Sequence, residues 1–242
     1  MDALSLYRAG QLQPAIEALG VELRKQPLDA RRRTFLFELL CFAGEYDRAA
    51  KQLDVLADAS PEAAAGSMLY RSALHAEKTR QEMFAGGQLP IGSALASPSG
   101  QFNGREFETL TDGDPRIGSH LEVFIAGSYT WIPFAYVESL EMQPPKKLRD
   151  TLWISAILHT TSDFRLQDLG EVLLPALAPL SWKHSDDAVR LGQKTVWEDD
   201  AEQGAVPYGQ KLLLSGDDEE SILELRNLTF HHARETAESA IT

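Results

Sequence analysis

Leu6-Tyr7-Arg8-Ala9-Gly10-Gln11, with Ala15, Leu19 and Pro27 behind it, returns thirty-four residues later as Leu40-Cys41-Phe42-Ala43-Gly44-Glu45, with Ala49, Leu53 and Pro61. Leu6, Ala9, Gly10, Ala15, Leu19 and Pro27 each fall on an identical residue at that offset. Thirty-four residues is the tetratricopeptide period, two helices to a unit. The repeated residues suit that reading. A glycine at the turn lets two helices approach closely, an alanine fits where the second helix presses on the first, and a proline ends one unit and opens the next.

The helix ends agree. Asp29 is placed to cap a helix running to Phe42, and Ser60-Pro61 joins a cap to a first-turn proline. The first of these helices is apolar nearly all round, so it needs cover on more than one side. The second, about Pro61 to Phe84, carries Leu69, Ala73 and Ala76 at i, i+4, i+7 and stops at Gly86-Gly87. Residues 1–87 therefore read as a tetratricopeptide-like module of two units and one further helix. Residues 88–104, rich in Gly, Ser, Pro and Ala, read as a linker with one helical turn around 91–95.

Beyond the linker the period changes to two. Leu121, Val123 and Ile125 alternate with Glu122 and Phe124, and Gly127-Ser128 leads into Tyr129-Thr130-Trp131-Ile132-Pro133, a hairpin signature. Further strands are expected over 137–142, 151–160, 170–174, 195–198, 210–214 and 222–230. Short strands at this spacing favour a barrel-like or curled-sheet domain over 105–242. The fold class is α+β in two parts. The acidic stretches Glu198-Asp199-Asp200-Ala201-Glu202 and Asp217-Asp218-Glu219-Glu220 read as solvated turns.

Composition excludes several functions. With 23 basic and 36 acidic residues the chain carries a formal charge of -13, which repels phosphate backbones, so no nucleic-acid partner is expected. Arg31-Arg32-Arg33 and Lys146-Lys147 are too short for a phosphate track. No stretch reaches the ~20 apolar residues that span a bilayer, and no signal peptide opens the chain, so a cytoplasmic location without a membrane partner is expected. The single cysteine, Cys41, lies in an apolar run and reads as a small core residue.

A search for chemistry returns little. His75, His120, His159, His184, His231 and His232 form no helical i, i+4 pair, and Asp112-Gly113-Asp114 lacks the remaining ligands of a calcium loop. No nucleophile elbow or phosphate cradle occurs. No catalytic residue, metal ligand or cofactor is assigned. An alternative from another class is a small metal-dependent hydrolase built on Asp112, Asp114, His120, Arg149 and Asp150. Partner-binding candidates are Tyr7, Arg8, Gln11 and Glu45 in a groove between the repeats, and Trp131, Arg149, Asp150 and Trp153 in an aromatic and proline-rich cluster. For each tryptophan the competing reading is core packing, with Arg149 and Asp150 capping or bridging nearby.

Several segments together carry a family resemblance. They include Ala76-Glu77-x-x-Arg80, Leu121-Glu122-Val123, Gly127-x-Tyr129-x-Trp131-Ile132-Pro133, Pro144-Pro145-Lys146-x-Leu148-Arg149-Asp150-x-x-Trp153 and Arg190-Leu191-Gly192-x-x-Thr195-x-Trp197. In these the chain resembles the ImpE family, also called TagJ, of type VI secretion accessory proteins. The resemblance implies tetratricopeptide-like helices joined to a β-containing domain and a non-catalytic role. The partner it implies is the N-terminal helical segment of the small contractile-sheath subunit TssB. An effect on sheath assembly or on disassembly by the ClpV ATPase, reached indirectly through TssB, is expected with it.

Overall fold

A computed structural model describes residues 1–90, 95–164 and 169–232. The helical turn expected around 91–95 falls largely on 91–94, outside the described residues. The chain begins with five helices, α1 (Ala3–Arg8), α2 (Leu12–Lys25), α3 (Ala30–Phe42), α4 (Tyr46–Ala57) and α5 (Pro61–Gly86), each packed on the one before it. The caps lie where the sequence places them. Asp29 Oδ1 accepts the Arg32 N–H at 3.0 Å, Ser60 Oγ accepts that of Ala63 at 3.1 Å, and Gly87 ends α5 in the left-handed region at φ 67°.

All seven residues from Leu36 to Phe42 are buried, because α2 and α4 cover α3 from two sides. On α5 the packed face differs from the expected one. Ala73 and Ala76 are buried but Leu69 is exposed, and the inward row continues through Glu77, Arg80, Gln81 and Phe84.

The second half supplies β1 (Gly100–Phe102), β2 (Arg105–Phe107), β3 (Thr111–Asp112), β4 (His120–Ile125), β5 (Ser128–Pro133), β6 (Val137–Met142), β7 (Trp153–Thr160) and β8 (Gly170–Pro175). A short helix, α6 (Asp187–Arg190), precedes β9 (Val196–Asp200), β10 (Gly204–Tyr208), β11 (Leu212–Ser215), β12 (Asp218–Ser221) and β13 (Asn227–Phe230). Eight of these strands form one antiparallel sheet in the order β2-β1-β13-β6-β7-β8-β4-β5. The sheet is open, which corrects the barrel-like expectation. At one end α5 packs on β4 and β5, and at the other β2 stays an edge. A helix over the last strands gives them a partner without closure.

Two more corrections concern polar sequence that forms strands. Glu198–Asp200 belongs to β9, paired with β10, and Asp218–Glu220 belongs to β12, paired with β11. Most of these acidic side chains are exposed and Glu220 is ion-paired with Arg105, so an acidic composition cost them little once a partner strand supplied hydrogen bonds. Gly100–Phe102, within the stretch read as linker, pairs with β13.

The apolar residues separate into two main clusters. One lies under the sheet and includes Phe102, Leu140, Ile154, Leu158, Leu213 and Leu228. The other joins the helices to the sheet, packing Phe37, Phe42 and Leu74 together with Phe124, Leu152 and Trp153. Helices and sheet thus share a core.

The segment after β8 folds back over the helical turns. Gly10 and Gly44 both sit at φ 71°, and a Cβ on Gly44 would stand 2.5 Å from the Trp182 ring. Gln193 Nε2 donates to the Tyr7 carbonyl at 3.2 Å, and Asp187 Oδ2 accepts the Gln13 N–H at 3.1 Å. The repeated glycines therefore serve a left-handed turn, and at Gly44 the close approach of a distant tryptophan as well.

Candidate functional site

The seam between α5 and the sheet holds a buried ion cluster. Arg80 projects from α5, Glu122 from β4, and Lys211 lies just ahead of β11, all nearly free of solvent contact. Arg80 grips Glu122 with two parallel bonds, Nε to Oε1 at 2.7 Å and Nη2 to Oε2 at 2.9 Å. Its remaining donors reach Glu77 Oε1 at 3.2 Å and the Leu177 carbonyl at 3.0 Å. Lys211 Nζ donates to Glu122 Oε2 at 2.6 Å and is ion-paired with Asp112 on β3. The Tyr129 hydroxyl donates to Glu122 Oε1 at 2.5 Å and accepts from the Trp131 indole N–H.

A second layer of polar contacts completes the seam. Glu77 accepts from the Trp153 indole at 2.9 Å and from Gln81 Nε2 at 2.6 Å. Gln81 Oε1 in turn takes the Leu180 N–H at 2.9 Å and the Trp182 indole at 3.2 Å. Burial works against the Glu122 charge, but Arg80 and Lys211 outweigh it and hold the carboxyl well below its usual range. At Asp112 burial wins and the carboxyl is pushed up, Lys211 opposing and the Glu122 charge adding to the rise. Neither oxygen of Glu122 is left for a reacting group. The cluster joins α5 to the sheet by side-chain bonds from Arg80 and Lys211 to Glu122.

The residues singled out in the sequence lie at several separate places. Tyr7 packs edge-on to Phe35 at 5.8 Å, Arg8 and Gln11 are exposed, and Glu45 pairs with Arg48. Trp131 is partly buried against Phe84 and His120. Trp153 is 0% exposed and sits in the shared core, so it is packing material and not an exposed anchor. Asp150 Oδ2 accepts the N–H groups of Lys146 and Lys147 at 2.9 and 3.0 Å, and its Oδ1 takes the Arg149 guanidinium, which is the capping reading. Of the hydrolase constellation, Asp112 is paired to Lys211, Asp114 to Arg116, and His120 Nδ1 lies 2.7 Å from the Ile117 carbonyl. Among the described residues no three His, Cys, Asp or Glu side chains are grouped to hold a metal ion.

Comparison with known proteins now places the chain. Residues 104–229 match the model of the ImpE protein family. The type VI secretion system accessory component TagJ of Pseudomonas aeruginosa is 33% identical across 95% of this chain and 91% of that protein. This chain belongs to the ImpE family. The crystal structure of protein VPA1032 from Vibrio parahaemolyticus shares the fold, with a TM-score of 0.81 and 24% identity over 96% of this chain and 98% of that one.

Segments that carry the ImpE resemblance build the seam. Glu77, Arg80, Glu122, Tyr129, Trp131 and Trp153 all come from them. Lys211 and Asp112 were missed as partners, because a lone lysine beside a strand and an aspartate in a turn carry no pairing signal in sequence. No helix among the described residues is long and apolar enough to cross a membrane.

Glu38 of α3 should give this chain a pH-dependent stability. It is buried against the turn at 148–151; burial pushes its carboxyl up to about 7, the Arg149 N–H and guanidinium pulling the other way. The folded chain therefore binds more protons than the unfolded chain between 4.5 and about 7. This contribution to stability is complete below pH 4.5 and is lost as pH rises through 7. Glu38→Gln should remove the loss, stabilising the chain at pH 8 by up to about 3 kcal/mol relative to wild type and by little at pH 4.5. Urea unfolding at the two pH values measures the difference, and an equal effect at both would contradict it.

Proposed function

We propose that this chain is a non-catalytic, cytoplasmic adaptor of a type VI secretion system. In this reading it binds the N-terminal helical segment of the sheath subunit TssB and through it tunes sheath assembly or ClpV-dependent disassembly. The observation that carries the accessory role is the 33% identity to TagJ over nearly the whole chain. Two features favour binding over catalysis. The thirty-four-residue repeat has tetratricopeptide character, with Gly10 and Gly44 in the same left-handed turn, and stacked helix pairs of that kind present grooves to helices and peptides. In the seam Arg80, Glu122, Lys211 and Asp112 are engaged with one another, so that cluster offers no poised pair for proton transfer.

A fluorescent peptide from the cognate TssB N-terminus, titrated into the full-length chain, tests the proposal. Saturable binding at micromolar or tighter concentration is the expected result. Absence of binding to a chain shown folded by circular dichroism would overturn it, and hydrolytic turnover in its place would favour the metal-dependent alternative.

A further inference from the structure

The adaptor reading leaves open where a helix would sit, and α5 supplies the answer. The repeat makes two helices per unit, α1 with α2 and α3 with α4, and α5 then stands as the first helix of a third unit. The next described element after it is β1, so the place of its mate is not taken by a helix of the described chain. The C-terminal half of α5 is covered by β4, β5 and the ion cluster. Its N-terminal half turns Ala65, Met68 and Leu69 outward at i, i+3, i+4, and the row continues to the half-buried Ser72 at i+7, the spacing of a helix-packing stripe. Met68 is 69% exposed and Leu69 74%, adjacent large apolar side chains that a folded chain ordinarily shields.

A groove of about 300 Å³ runs beside this stripe, floored by Phe124 and Leu173 of the sheet and walled by Leu69, Ser72 and Ala73. It ends where the β4–β5 turn meets α5. A Cβ on Gly127 would stand 3.4 Å from that of Ser72, so the glycine permits the close approach that shapes the end wall. Two charged groups line it. Arg149 is already paired with Asp150 at 2.9 Å, whereas Glu171 makes no ion pair among the described residues. Among the described residues the charge left unpaired in the groove is negative, as is the chain's -13.

We infer that this stripe and groove are the docking site for one partner helix, which takes the place that a second helix of a third unit would hold. The occupant is amphipathic, with apolar residues at i, i+3 or i+4, and i+7 and with Lys or Arg flanking the stripe to meet Glu171. The inference rests on the adaptor reading and names its surface. It also separates this surface from a second open groove, of about 580 Å³, lined by Leu4, Leu19 and Phe35 at the start of the chain.

The test uses the full-length chain and the labelled TssB N-terminal peptide, with Leu69→Glu, Met68→Glu and Leu4→Glu variants. All three positions are exposed, and circular dichroism checks that each variant folds. Leu69→Glu and Met68→Glu should each weaken binding about tenfold or more, while Leu4→Glu leaves it unchanged. If Leu4→Glu abolishes binding and the α5 variants do not, the docking site is wrong and the adaptor reading survives. If wild type binds no peptide, the adaptor reading fails and takes this inference with it. Sedimentation of the unliganded chain provides the remaining outcome: a dimer that Leu69→Glu dissociates would make the stripe a self-interface and overturn the inference.

Discussion

Arg80→Ala should lower the folding stability of this chain by about 3–5 kcal/mol, a large part of what a domain of this size possesses. The reason is the condition in which it leaves Glu122. That carboxylate is fully buried and is held charged by Arg80 on one side and Lys211 on the other. Without the guanidinium, Glu122 keeps one cation that it already shares with Asp112, and the Leu177 carbonyl and Glu77 lose a donor. The penalty is that of a buried charge without its partner, which exceeds what the intact pair contributes. Equilibrium urea unfolding measures it. Combining Arg80→Ala with Glu122→Gln should recover part of the loss, because the second change removes the stranded charge. A loss below about 1 kcal/mol, or no recovery in the double variant, would show that the cluster is not what ties α5 to the sheet.

Trp153→Ala should be comparably damaging, at about 3–5 kcal/mol. Trp153 is one of the largest fully buried side chains, lying 6.3 Å from the Phe37 ring of α3 while its indole N–H satisfies Glu77. Truncation opens a cavity in the core that helices and sheet share and leaves a buried carboxylate oxygen without that donor. Trp153→Phe separates the two effects. It keeps most of the volume and should cost about 1–3 kcal/mol through the unpaired oxygen alone. Urea unfolding followed by near-ultraviolet and far-ultraviolet circular dichroism reads both variants. Equal losses for Ala and Phe would mean that the hydrogen bond, and not packing, carries the effect.

Much of the local structure was legible before any coordinates. Asp29, Ser60-Pro61 and Gly86-Gly87 announced helix ends because capping is a contact between near neighbours in sequence. The alternation from Leu121 to Ile125 and the Gly127 turn announced the β4–β5 hairpin for the same reason. The misreadings share a cause as well. Asp218–Glu220 and Asp199-Asp200 have turn-like composition, and only the pairing of a partner strand makes them strands. Leu69 was grouped with Ala73 and Ala76 by spacing, but α5 is 26 residues long and meets different neighbours along its length. The apolar face that spacing detects need not be the face that is covered.

By itself the sequence determined the helical period, the caps, the change from helices to strands and the family to which the chain belongs. Each of these depends on residues close together in the chain or on a pattern spread along it. Only the tertiary structure decided that the sheet stays open, that Trp182 reaches back over Gly44, and that Arg80, Glu122 and Lys211 meet in one buried cluster. Residues 42 and 89 positions apart acquire partners through the path of the whole backbone. The energy of a buried charge depends on what surrounds it in space, and neighbours in sequence do not specify that.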